Sequence, residues 1–409
     1  MGNATRRTTC RSCRSAEISP VLDLGHTPIA NALLSDPDAV DEPRYPLEVA
    51  FCRDCALVQI LDDVPLFPDD YPYYSSVSDT LLAHSRRHVE GLVETLRLDA
   101  TSLIVEIASN DGYLLRNAVE MGIPALGIDA APGPAAAARE IGVETITGFF
   151  GREVAREIRA ERGPADAMVA NNVMAHVPDL NDFVAGFATL LADDGVLTVE
   201  NPGVEMMIEH GEFDTIYHEH VAYYSCLSVQ SLMARHALTL FDVELFEDLH
   251  GGTLRYWVAR DRPPTARLEE RLRHERALGM DEIAFYDGFG ERVASISSEL
   301  RTLIRRLRAE GATVAAYGAA AKGATMLNTV GLGVEEVEFV VDRSPHKQGM
   351  FMPGTHQPIL GVDALIERAP DYTVILAWNF ADEIVAQQAA YLDRGGRFIV
   401  PVPEPKILG

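Results

Sequence analysis

The densest group of reactive side chains lies in residues 215–226, TIYHEHVAYYSC, with three tyrosines, two histidines and one glutamate. Histidine exchanges protons near neutral pH, so Tyr217-His218-Glu219-His220 is suited to proton transfer. Two imidazoles separated by one residue could instead chelate a metal, although the spacing differs from the His-Glu-x-x-His of zinc proteases. An extended chain would put His218 and His220 on one side, whereas a turn would bring Tyr217 to His220. We expect proton transfer, and the sequence leaves the backbone conformation open.

Four of the five cysteines form two pairs, Cys10-x-x-Cys13 and Cys52-x-x-Cys55, with 38 residues between the pairs. Each pair offers two thiolates from one tight turn, a pattern typical of tetrahedral zinc in a chain without disulfides. Four thiolates close the coordination shell, so the sequence predicts a structural zinc rather than a catalytic one. The long gap indicates an inserted loop, and Cys226 is expected to be a small buried residue.

A second group of polar residues follows an apolar strand pattern at 102–109. The turn contains Glu106, Asn110, Asp111 and Gly112, and it lacks the GxGxxG of dinucleotide enzymes. An acidic strand end followed by a small or polar turn lets the backbone approach the methionine part of S-adenosylmethionine while carboxylates meet its ammonium group. We therefore predict S-adenosylmethionine as the cofactor, with NAD as the competing assignment.

Two further strand ends supply polar residues in the same order along the chain. Asp129 ends the next predicted strand, where a carboxylate can accept both ribose hydroxyls. Asn171 and Asn172 lie beyond the fourth strand, and ligands of open sheets bind at the carboxyl ends of strands. Each feature alone could be a plain turn or a helix cap, but their order favours one cofactor site.

The elements that position these residues alternate between strand and helix. A helix is expected over about 78–98, and strands over about 102–109, 124–131, 143–148, 166–177 and 196–203. Such alternation predicts a parallel, doubly wound sheet. A second alternating block begins near 312, after a charged helical connector over about 265–310. Residues 1–65, with their many prolines, are expected to be rich in loops.

The predicted fold class is therefore α/β: a Rossmann-like methyltransferase domain with an N-terminal zinc-binding module and a C-terminal Rossmann-like domain. The expected bounds are 1–75 for the zinc module, 76–264 for the methyltransferase domain, and 265–409 for the connector and the C-terminal nucleotide-sugar-binding domain.

The C-terminal domain carries a candidate substrate site. Gly318, Lys322 and Gly323 follow a strand and open a helix, where backbone amides, the helix dipole and one lysine could hold a diphosphate. Tight packing between helix and strand would explain the glycines equally well. Asn379 lies just beyond another buried strand. We expect Lys322 and Asn379 to contact a nucleotide sugar.

The formal net charge of −26 argues against a nucleic-acid partner, because phosphate backbones require a basic surface. No apolar run reaches the roughly 18 residues that a membrane span needs, and the first residues lack the apolar core of a signal peptide. We expect a cytoplasmic protein with no membrane partner. The oligomeric state has no signature in the sequence.

Taken together, the motifs resemble a known family. The paired CxxC, YPYYSSVS, EIASNDG, NNVMAHVPD, YHEH, YGAAAKGATMLN, VDRSPHKQGMFMPGTHQPI and AWNFADEI occur in this order over essentially the full length. This set resembles the S-adenosylmethionine-dependent sugar C-methyltransferases, which act on nucleotide-linked 4-keto deoxysugars in antibiotic biosynthesis. The resemblance implies a zinc-binding domain, a methyltransferase domain, and a C-terminal domain that helps to hold the nucleotide sugar.

The resemblance also implies roles for individual residues. The catalytic set would be His176, Tyr217, Glu219 and His220, with a tyrosine of the YPYYSSVS stretch. That tyrosine corresponds to Tyr71, with Tyr73 as the alternative, and Tyr73 is otherwise expected at the substrate. One departure is Asp129, where many relatives have glutamate; ribose binding should survive it.

The implied reaction is C-methylation at C3 of a TDP-linked 4-keto deoxysugar. It needs a base for the carbon proton and a donor to the enolate oxygen. His220 is the expected base, with Glu219 setting its orientation and tautomer. Tyr217 and His176 are candidates to donate to the enolate or to relay the proton. An NAD-dependent nucleotide-sugar oxidoreductase, a C5- or O-methyltransferase, and a zinc-stapled nucleotide-sugar binding protein remain the competing functions.

Overall fold

The computed structural model describes residues 4–38, 42–64, 74–77, 79–247 and 251–408. Tyr71 and Tyr73 lie outside these ranges. The described chain contains three separate folded regions in sequence order, and each is built around its own sheet.

The N-terminal module is an antiparallel sheet, and its strands cover 27 residues of the stretch expected to be rich in loops. Its own strands are β1 (Thr5–Arg6), β2 (Ile18–Pro28), β3 (Arg44–Cys52), β4 (Val58–Ile60) and β5 (Asp62–Asp63). The order β4-β3-β2 is extended by Ala222–Tyr223 from much later in the chain, while β1 pairs with β5. The residues between the two cysteine pairs therefore form mainly the β2–β3 hairpin, whose register shifts twice.

The central domain carries a seven-stranded sheet. Its strands are β6 (Ile104–Ile107), β7 (Ala125–Asp129), β8 (Thr145–Thr147), β9 (Ala165–Asn171), β10 (Leu191–Pro202), β11 (Ala222–Tyr223), β12 (Thr239–Phe246) and β13 (Thr253–Ala259), of which β11 joins the N-terminal sheet. Its helices are α1 (Asp79–Leu96), α2 (Leu115–Glu120), α3 (Pro132–Glu140), α4 (Arg152–Arg162), α5 (Leu180–Leu190), α6 (Val204–His210) and α7 (Cys226–Ala234).

The sheet order is β12-β13-β10-β9-β6-β7-β8. Five strands are parallel, but β13 runs antiparallel to both β10 and β12. The five strands that the alternation predicted are parallel, as expected, and β12 and β13 add an antiparallel pair that the alternation did not include. The predicted α/β class, with a Rossmann-like central domain, is confirmed.

The C-terminal domain repeats the strand–helix alternation with a six-stranded sheet in the order β16-β15-β14-β17-β18-β19. Only β19 pairs antiparallel. The strands are β14 (Val314–Tyr317), β15 (Val340–Val341), β16 (Ile359–Leu360), β17 (Tyr372–Ile375), β18 (Arg397–Val400) and β19 (Lys406–Leu408). The connector and domain helices are α8 (Ala266–Ala277), α9 (Phe289–Ala309), α10 (Ala321–Val330), α11 (Ala364–Arg368), α12 (Ala381–Gln387) and α13 (Ala389–Asp393).

Short 3-10 helices begin or end at several positions that matter for the site. They are Ser75–Val77, Met174–His176, Phe213–Thr215, Ile283–Tyr286 and Trp378–Phe380. Met174–His176 follows β9, Phe213–Thr215 precedes residues 217–220, and Trp378–Phe380 follows β17. None of the helices among the described residues combines the length and the apolar character needed to cross a bilayer.

The three regions are joined by backbone contacts close to the candidate site. Val221 donates to the carbonyl of Ala175, which links β11 to the 3-10 helix after β9. Leu34 and Phe351 exchange two backbone hydrogen bonds, so the N-terminal module also binds the C-terminal domain. The catalytic candidates therefore lie where all three regions meet.

Candidate active site

The four paired cysteines converge on one point. Sγ of Cys10 lies 3.6 Å from Sγ of Cys55, and Sγ of Cys13 lies 3.5 Å from Sγ of Cys52. All four sulfurs lie within 4.8 Å of one another. Tetrahedral zinc with Zn–S bonds of about 2.3 Å requires sulfurs about 3.8 Å apart, so this cluster fits the ion. No other His, Cys, Asp or Glu group among the described residues has such a geometry.

Both cysteine turns have the same backbone. The N–H of Arg14 donates to the carbonyl of Cys10, and the N–H of Ala56 donates to the carbonyl of Cys52. Arg14 and Ala56 have positive φ angles of 66° and 57°. The left-handed residue after each pair folds the chain back so that both thiolates face inward. The zinc is structural, because its four ligands leave no position for a substrate.

The cofactor turn lies between β6 and α2 and has unusual backbone angles. Ala108, Asn110 and Gly112 have φ values of 58°, 49° and 77°, and left-handed angles are costly for the two residues that carry a Cβ atom. The turn is held by the neighbouring strand end: N–H groups of Ala108 and Asn110 donate to the carbonyl of Ile128 and to Oδ2 of Asp129. The strain creates a concave backbone at the carboxyl edge of the sheet.

Glu106 and Asp129 are two acidic side chains at this edge of the sheet. Glu106 is fully buried, and neither carboxylate oxygen has a hydrogen-bond partner among the described residues. Burial, followed by the charges of Asp129 and Asp111, raises the pKa of Glu106 well above its usual range. Burial also raises the pKa of Asp129, although N–H groups of Ala131 and Asn110 oppose this. A cationic ligand would relieve both carboxylates.

The side chains of Asn110 and Asp111 hold the segment that precedes α1. Oδ1 of Asn110 accepts from the N–H of Ser75 at 2.9 Å. Oδ2 of Asp111 accepts from the N–H and the hydroxyl of Ser76 at 3.1 and 2.5 Å, while its Oδ1 has no partner among the described residues. These bonds connect the β6–α2 turn to the segment before α1, a contact that sequence analysis did not anticipate.

Buried amides extend the site across β9 and β10. Oδ1 of Asn171 has no hydrogen-bond partner among the described residues, and Asn172 turns the chain with a φ of 52°. Asn201, at the end of β10, is 1% exposed, and both its amide oxygen and its amide nitrogen lack partners there. Sequence analysis missed Asn201, although it stands beside a predicted strand end, which is the signal that identified Asn171.

Tyr217 to His220 form a turn, one of the two conformations that the sequence left open. The N–H of His220 donates to the carbonyl of Tyr217 at 2.8 Å, and the Tyr217 hydroxyl lies 2.6 Å from Nε2 of His220. The two rings pack with centroids 4.0 Å apart. The turn thus pairs the phenol with the imidazole and separates His218 from His220, an arrangement that does not resemble a metal chelate.

The tautomer of His220 follows from its second contact. Nδ1 lies 2.9 Å from the carbonyl oxygen of Thr215, which can only accept a hydrogen bond. Nδ1 must therefore carry the proton, and in the neutral ring Nε2 keeps its lone pair. That lone pair points toward the Tyr217 hydroxyl, which can donate to it. Nε2 is therefore the atom of the neutral His220 ring that can accept a proton.

His176 lies beside His220 and shares its environment. The ring centroids are 4.6 Å apart in an edge-to-face arrangement. Burial lowers the pKa of His176 to about 4. Burial, together with the proximity of His176, lowers the pKa of His220 well below its usual range. Both rings are therefore neutral at pH 7, which suits one to accept a proton and the other to donate a hydrogen bond.

Glu219 and His218 point toward the N-terminal module. Oε2 of Glu219 accepts from Nδ2 of Asn31 at 2.8 Å. Nε2 of His218 lies 3.1 Å from the carbonyl oxygen of Pro46, and its ring packs edge-on to Tyr45. The turn is thus anchored to the β2–β3 hairpin on this side. Sequence analysis missed Asn31, because no local pattern links residues 188 positions apart.

The C-terminal domain anchors the other side of the turn through Asp214. Nε1 of Trp378 donates to Oδ2 of Asp214 at 2.7 Å, and Nζ of Lys322 lies 4.0 Å from the same oxygen. Nζ also lies 3.9 Å from the centroid of the Trp378 ring. Burial raises the pKa of Asp214 to about 6, against the opposing effects of Lys322 and Trp378. Asn379 is half-buried on the same 3-10 helix as Trp378.

A buried charged network behind the cofactor wall was also missed by sequence analysis. Nε2 of His84 lies 3.0 Å from Oε1 of Glu200, and Nε of Arg255 donates to that oxygen at 2.6 Å. Burial alone would raise the pKa of Glu200, but His84 and Arg255 lower it to about 2. The network ties α1 and β13 to β10, which fixes the strand that presents Asn201.

Three family models match consecutive stretches of the chain. They describe a zinc binding domain over residues 10–66, a methyltransferase domain over 82–242, and a C-methyltransferase C-terminal domain over 248–403. The chain is also 36% identical over 406 residues to the C-methyltransferase NovU of Streptomyces niveus, a match that covers 98% of this chain and 96% of that protein.

Solved methyltransferases show a weaker, partial likeness. Magnesium protoporphyrin IX methyltransferase (ChlM) from Synechocystis PCC 6803 has a TM-score of 0.35 at 12% identity and covers 44% of this chain and 83% of its own. The mitomycin 7-O-methyltransferase MmcR has a TM-score of 0.34 at 16% identity and covers 45% and 55%. The family assignment depends on the family models and the full-length relative.

Proposed function

The chain belongs to the S-adenosylmethionine-dependent C-methyltransferase family, and we propose that it methylates a ring carbon, C3, of a TDP-linked 4-keto deoxysugar. The proposed setting is antibiotic deoxysugar biosynthesis, as the sequence resemblance implies. The observation that carries the proposal is the His220 ring, whose Nδ1 is committed to the Thr215 carbonyl. Because the full-length relative is a C-methyltransferase, we assign this base to a carbon acid.

The proposed reaction begins with proton removal from the carbon beside the ketone. Nε2 of His220 takes the proton, the C–H electron pair becomes a C=C bond, and the carbonyl π pair moves onto oxygen. Tyr217, whose hydroxyl rests 2.6 Å from Nε2 in the free protein, turns to donate to that oxygen. His176, with its low pKa, is a second neutral donor beside the same ring.

The enolate carbon would be the nucleophile toward the methyl group, and the proton held on Nε2 of His220 would pass to solvent after the transfer. S-adenosylmethionine supplies the electrophilic methyl group when bound. The chain's own contribution is alignment and charge: Glu106 and Asp129 provide buried carboxylates for the cationic cofactor at the strand ends next to Asn171.

The C-terminal domain is proposed to hold the nucleotide part of the substrate through Lys322 and Asn379. Lys322 opens α10 and is 18% exposed, so its ammonium group is accessible from the cleft. Its partner Asp214 immediately precedes Thr215, the residue that orients His220. Nucleotide binding and the position of the base are therefore connected through one short 3-10 helix.

Deuterium exchange in D2O tests this proposal directly. A TDP-4-keto deoxysugar is incubated with the protein and S-adenosylhomocysteine, which fills the cofactor site without allowing methyl transfer. With the unaltered protein we expect exchange at C3, the carbon beside the ketone that is not bonded to the ring oxygen. In His220→Asn the exchange rate should fall about 10²- to 10⁴-fold, the range typical of general-base catalysis. His274→Asn is the matched control, because His274 contacts Glu205 between α8 and α6 and should exchange normally.

Other outcomes would change the assignment. Exchange that persists in His220→Asn would move the base to His176 or a tyrosine. Exchange at the carbon next to the ring oxygen would indicate C5 methylation. Absence of exchange with both 3-amino and 3-hydroxy sugars, combined with methyl transfer to oxygen, would contradict the carbon-acid mechanism.

A further inference from the structure

We propose that Asn31, on the N-terminal zinc-binding module, is a positioning residue for the methyl-transfer reaction, acting by holding the Glu219 carboxylate in the Tyr217–His220 turn. The inference rests on the proposed function of that turn. It makes the zinc module a part of the active site rather than a separate structural domain.

The contact is direct and short. Nδ2 of Asn31 donates to Oε2 of Glu219 at 2.8 Å, and both residues are half-buried. Glu219 lies between His218 and His220 in the chain. Its backbone also makes a hydrogen bond with His176, and this bond opposes the fall in the pKa of that ring. A rotation of Glu219 that moves its peptide would therefore displace His220 and alter the hydrogen bond to His176.

Asn31 is itself fixed from two directions. It follows β2 in a tight turn, in which the N–H of Ala32 donates to the carbonyl of Ile29 and the N–H of Leu33 donates to the carbonyl of Asn31. Three residues further, Leu34 pairs with Phe351 of the C-terminal domain through two backbone hydrogen bonds of 3.0 and 2.8 Å. The amide is thus presented by a loop with little freedom, as a residue that must orient another requires.

The chemistry of the pair suits an anionic Glu219. Burial raises the pKa of Glu219, and the Asn31 amide is the group that opposes this rise. An amide stabilises a carboxylate without neutralising it, whereas an arginine or lysine would cancel its charge. A charged Glu219 makes a stronger hydrogen bond with the Asn31 amide, and this bond holds the turn that carries His220.

The competing explanation is that Asn31 only docks the zinc module onto the central domain. A second amide provides the control for docking. Nδ2 of Asn181 donates to the carbonyls of Arg11 and Ser12, both at 3.0 Å, and so joins the central domain to a cysteine turn away from the Tyr217–His220 turn. Asn181→Ala loosens the same domain contact without touching Glu219.

The experiment compares Asn31→Ala, Asn31→Asp and Asn181→Ala in the full-length zinc-loaded protein. We expect kcat for methyl transfer to fall about 10- to 100-fold in Asn31→Ala, the cost of losing a hydrogen bond to a charged group, with KM changed less than about threefold. The acid limb of the kcat profile should move to higher pH, because Glu219 loses the donor that lowers its pKa. Asn31→Asp should be worse than Asn31→Ala, since two carboxylates would face each other.

Asn181→Ala should keep the kcat and the acid limb of the unaltered protein. Equal losses in Asn31→Ala and Asn181→Ala, or an unshifted acid limb in Asn31→Ala, would reduce Asn31 to a docking contact and overturn the inference.

A second measurement needs no substrate, so it separates this inference from the proposed function. The Glu219 carboxyl resonance in ¹³C-glutamate-labelled protein can be assigned by its loss in Glu219→Gln and titrated by NMR. Its pKa should be higher in Asn31→Ala than in the unaltered protein. An unchanged pKa would refute the Asn31–Glu219 link even if the deuterium experiment succeeds, and a raised pKa would support the link even if the sugar substrate is wrong.

Discussion

The cofactor cleft and the Tyr217–His220 turn are built in opposite ways. In the cleft, Glu106, Asp129 and Asn171 come from the ends of three neighbouring strands of one sheet, within 66 positions of one another. The turn depends on the whole chain: Asn31 and Trp378, which anchor its two sides, lie 188 residues before Glu219 and 164 residues after Asp214.

The two regions also differ in what they leave unpaired. Both oxygens of Glu106 and Oδ1 of Asn171 lack partners among the described residues. These atoms are therefore available to accept hydrogen bonds from a ligand. In the turn, His220 has both ring nitrogens engaged, and Nδ1 of His218 is the buried ring atom that lacks a partner among the described residues. The cofactor cleft should therefore tolerate damage to the flanking domains, whereas the turn should lose its geometry when either domain is disturbed.

Removal of zinc should have the largest effect and should act on only one of the two regions. The cysteine turns close the ends of the β2–β3 hairpin that presents Asn31 and Pro46. Cys52→Ser should therefore release the contacts of Asn31 with Glu219 and of Pro46 with His218. We expect methyl transfer to fall by about 100-fold or more, as when reacting groups are misplaced by about an ångström. Binding of S-adenosylhomocysteine, measured by calorimetry, should change less than about threefold.

Cys226→Ser is the matched control, since Cys226 is a buried thiol outside the cluster. It should keep one zinc per chain and normal activity. Loss of cofactor binding together with activity in Cys52→Ser would mean that the cofactor cleft also needs the zinc module.

Glu106→Gln should have the next largest effect and should act on the cleft alone. A neutral amide of the same shape removes the negative charge that meets the cofactor, so binding of S-adenosylmethionine should weaken about 10- to 100-fold. The free protein should become more stable, because it no longer buries a carboxylate without a partner. Calorimetry and thermal unfolding measure the two effects, with the exposed Asp193→Asn as the control.

The pH dependence of the same residue has a definite sign. The pKa of Glu106 in the free folded protein is raised, so the folded state binds more protons than the unfolded state above the unfolded pKa of about 4.3. The stability contributed by this group therefore falls as pH rises from that value toward the raised pKa, and the slope should disappear in Glu106→Gln. Cofactor affinity should rise over the same interval, because binding requires the ionised carboxylate. An identical slope in both proteins would contradict the assignment.

The contrast between the two regions also explains which parts of the molecule the sequence could predict. The strands that carry Glu106 and Asp129 could be predicted, because strand periodicity and a polar turn are local signals in the sequence. The network of His84, Glu200 and Arg255 could not be predicted, since its members come from one helix and two strands. Charged residues scattered along a chain give no local indication that they will be buried together.

Proline misled the prediction for the N-terminal module. Pro20 and Pro28 suggested loops, yet both lie in β2, which is an edge strand of its sheet. An edge strand tolerates proline, because one side of its backbone has no partner strand to which it must donate. The conformation of the Tyr217–His220 turn was equally beyond the sequence, since it depends on Thr215 and on contacts from both flanking domains.

Trp378→Phe should have the smallest effect of the three changes and should act only on the turn. Phenylalanine keeps an aromatic ring beside Lys322 but removes the N–H that donates to Asp214 at 2.7 Å. The pKa of Asp214, already raised to about 6 by burial, should rise further. More of this carboxyl is then protonated at pH 7, and the 3-10 helix that carries Thr215 is held less firmly. We expect kcat to fall about 3- to 10-fold, the cost of one hydrogen bond.

The other tryptophan of the chain provides the control for this change. Nε1 of Trp257 donates to Glu244 at 3.1 Å on the far edge of the central sheet, so Trp257→Phe removes an equivalent bond away from the turn. Its kcat should stay within about twofold of the unaltered protein, and cofactor affinity should be unchanged in Trp378→Phe. Because a higher pKa of Asp214 matters only while pH is near that pKa, the deficit in Trp378→Phe should shrink as pH is raised. A deficit that is independent of pH would mean that the indole acts through packing, and that the carboxyl of Asp214 does not connect the C-terminal domain to His220.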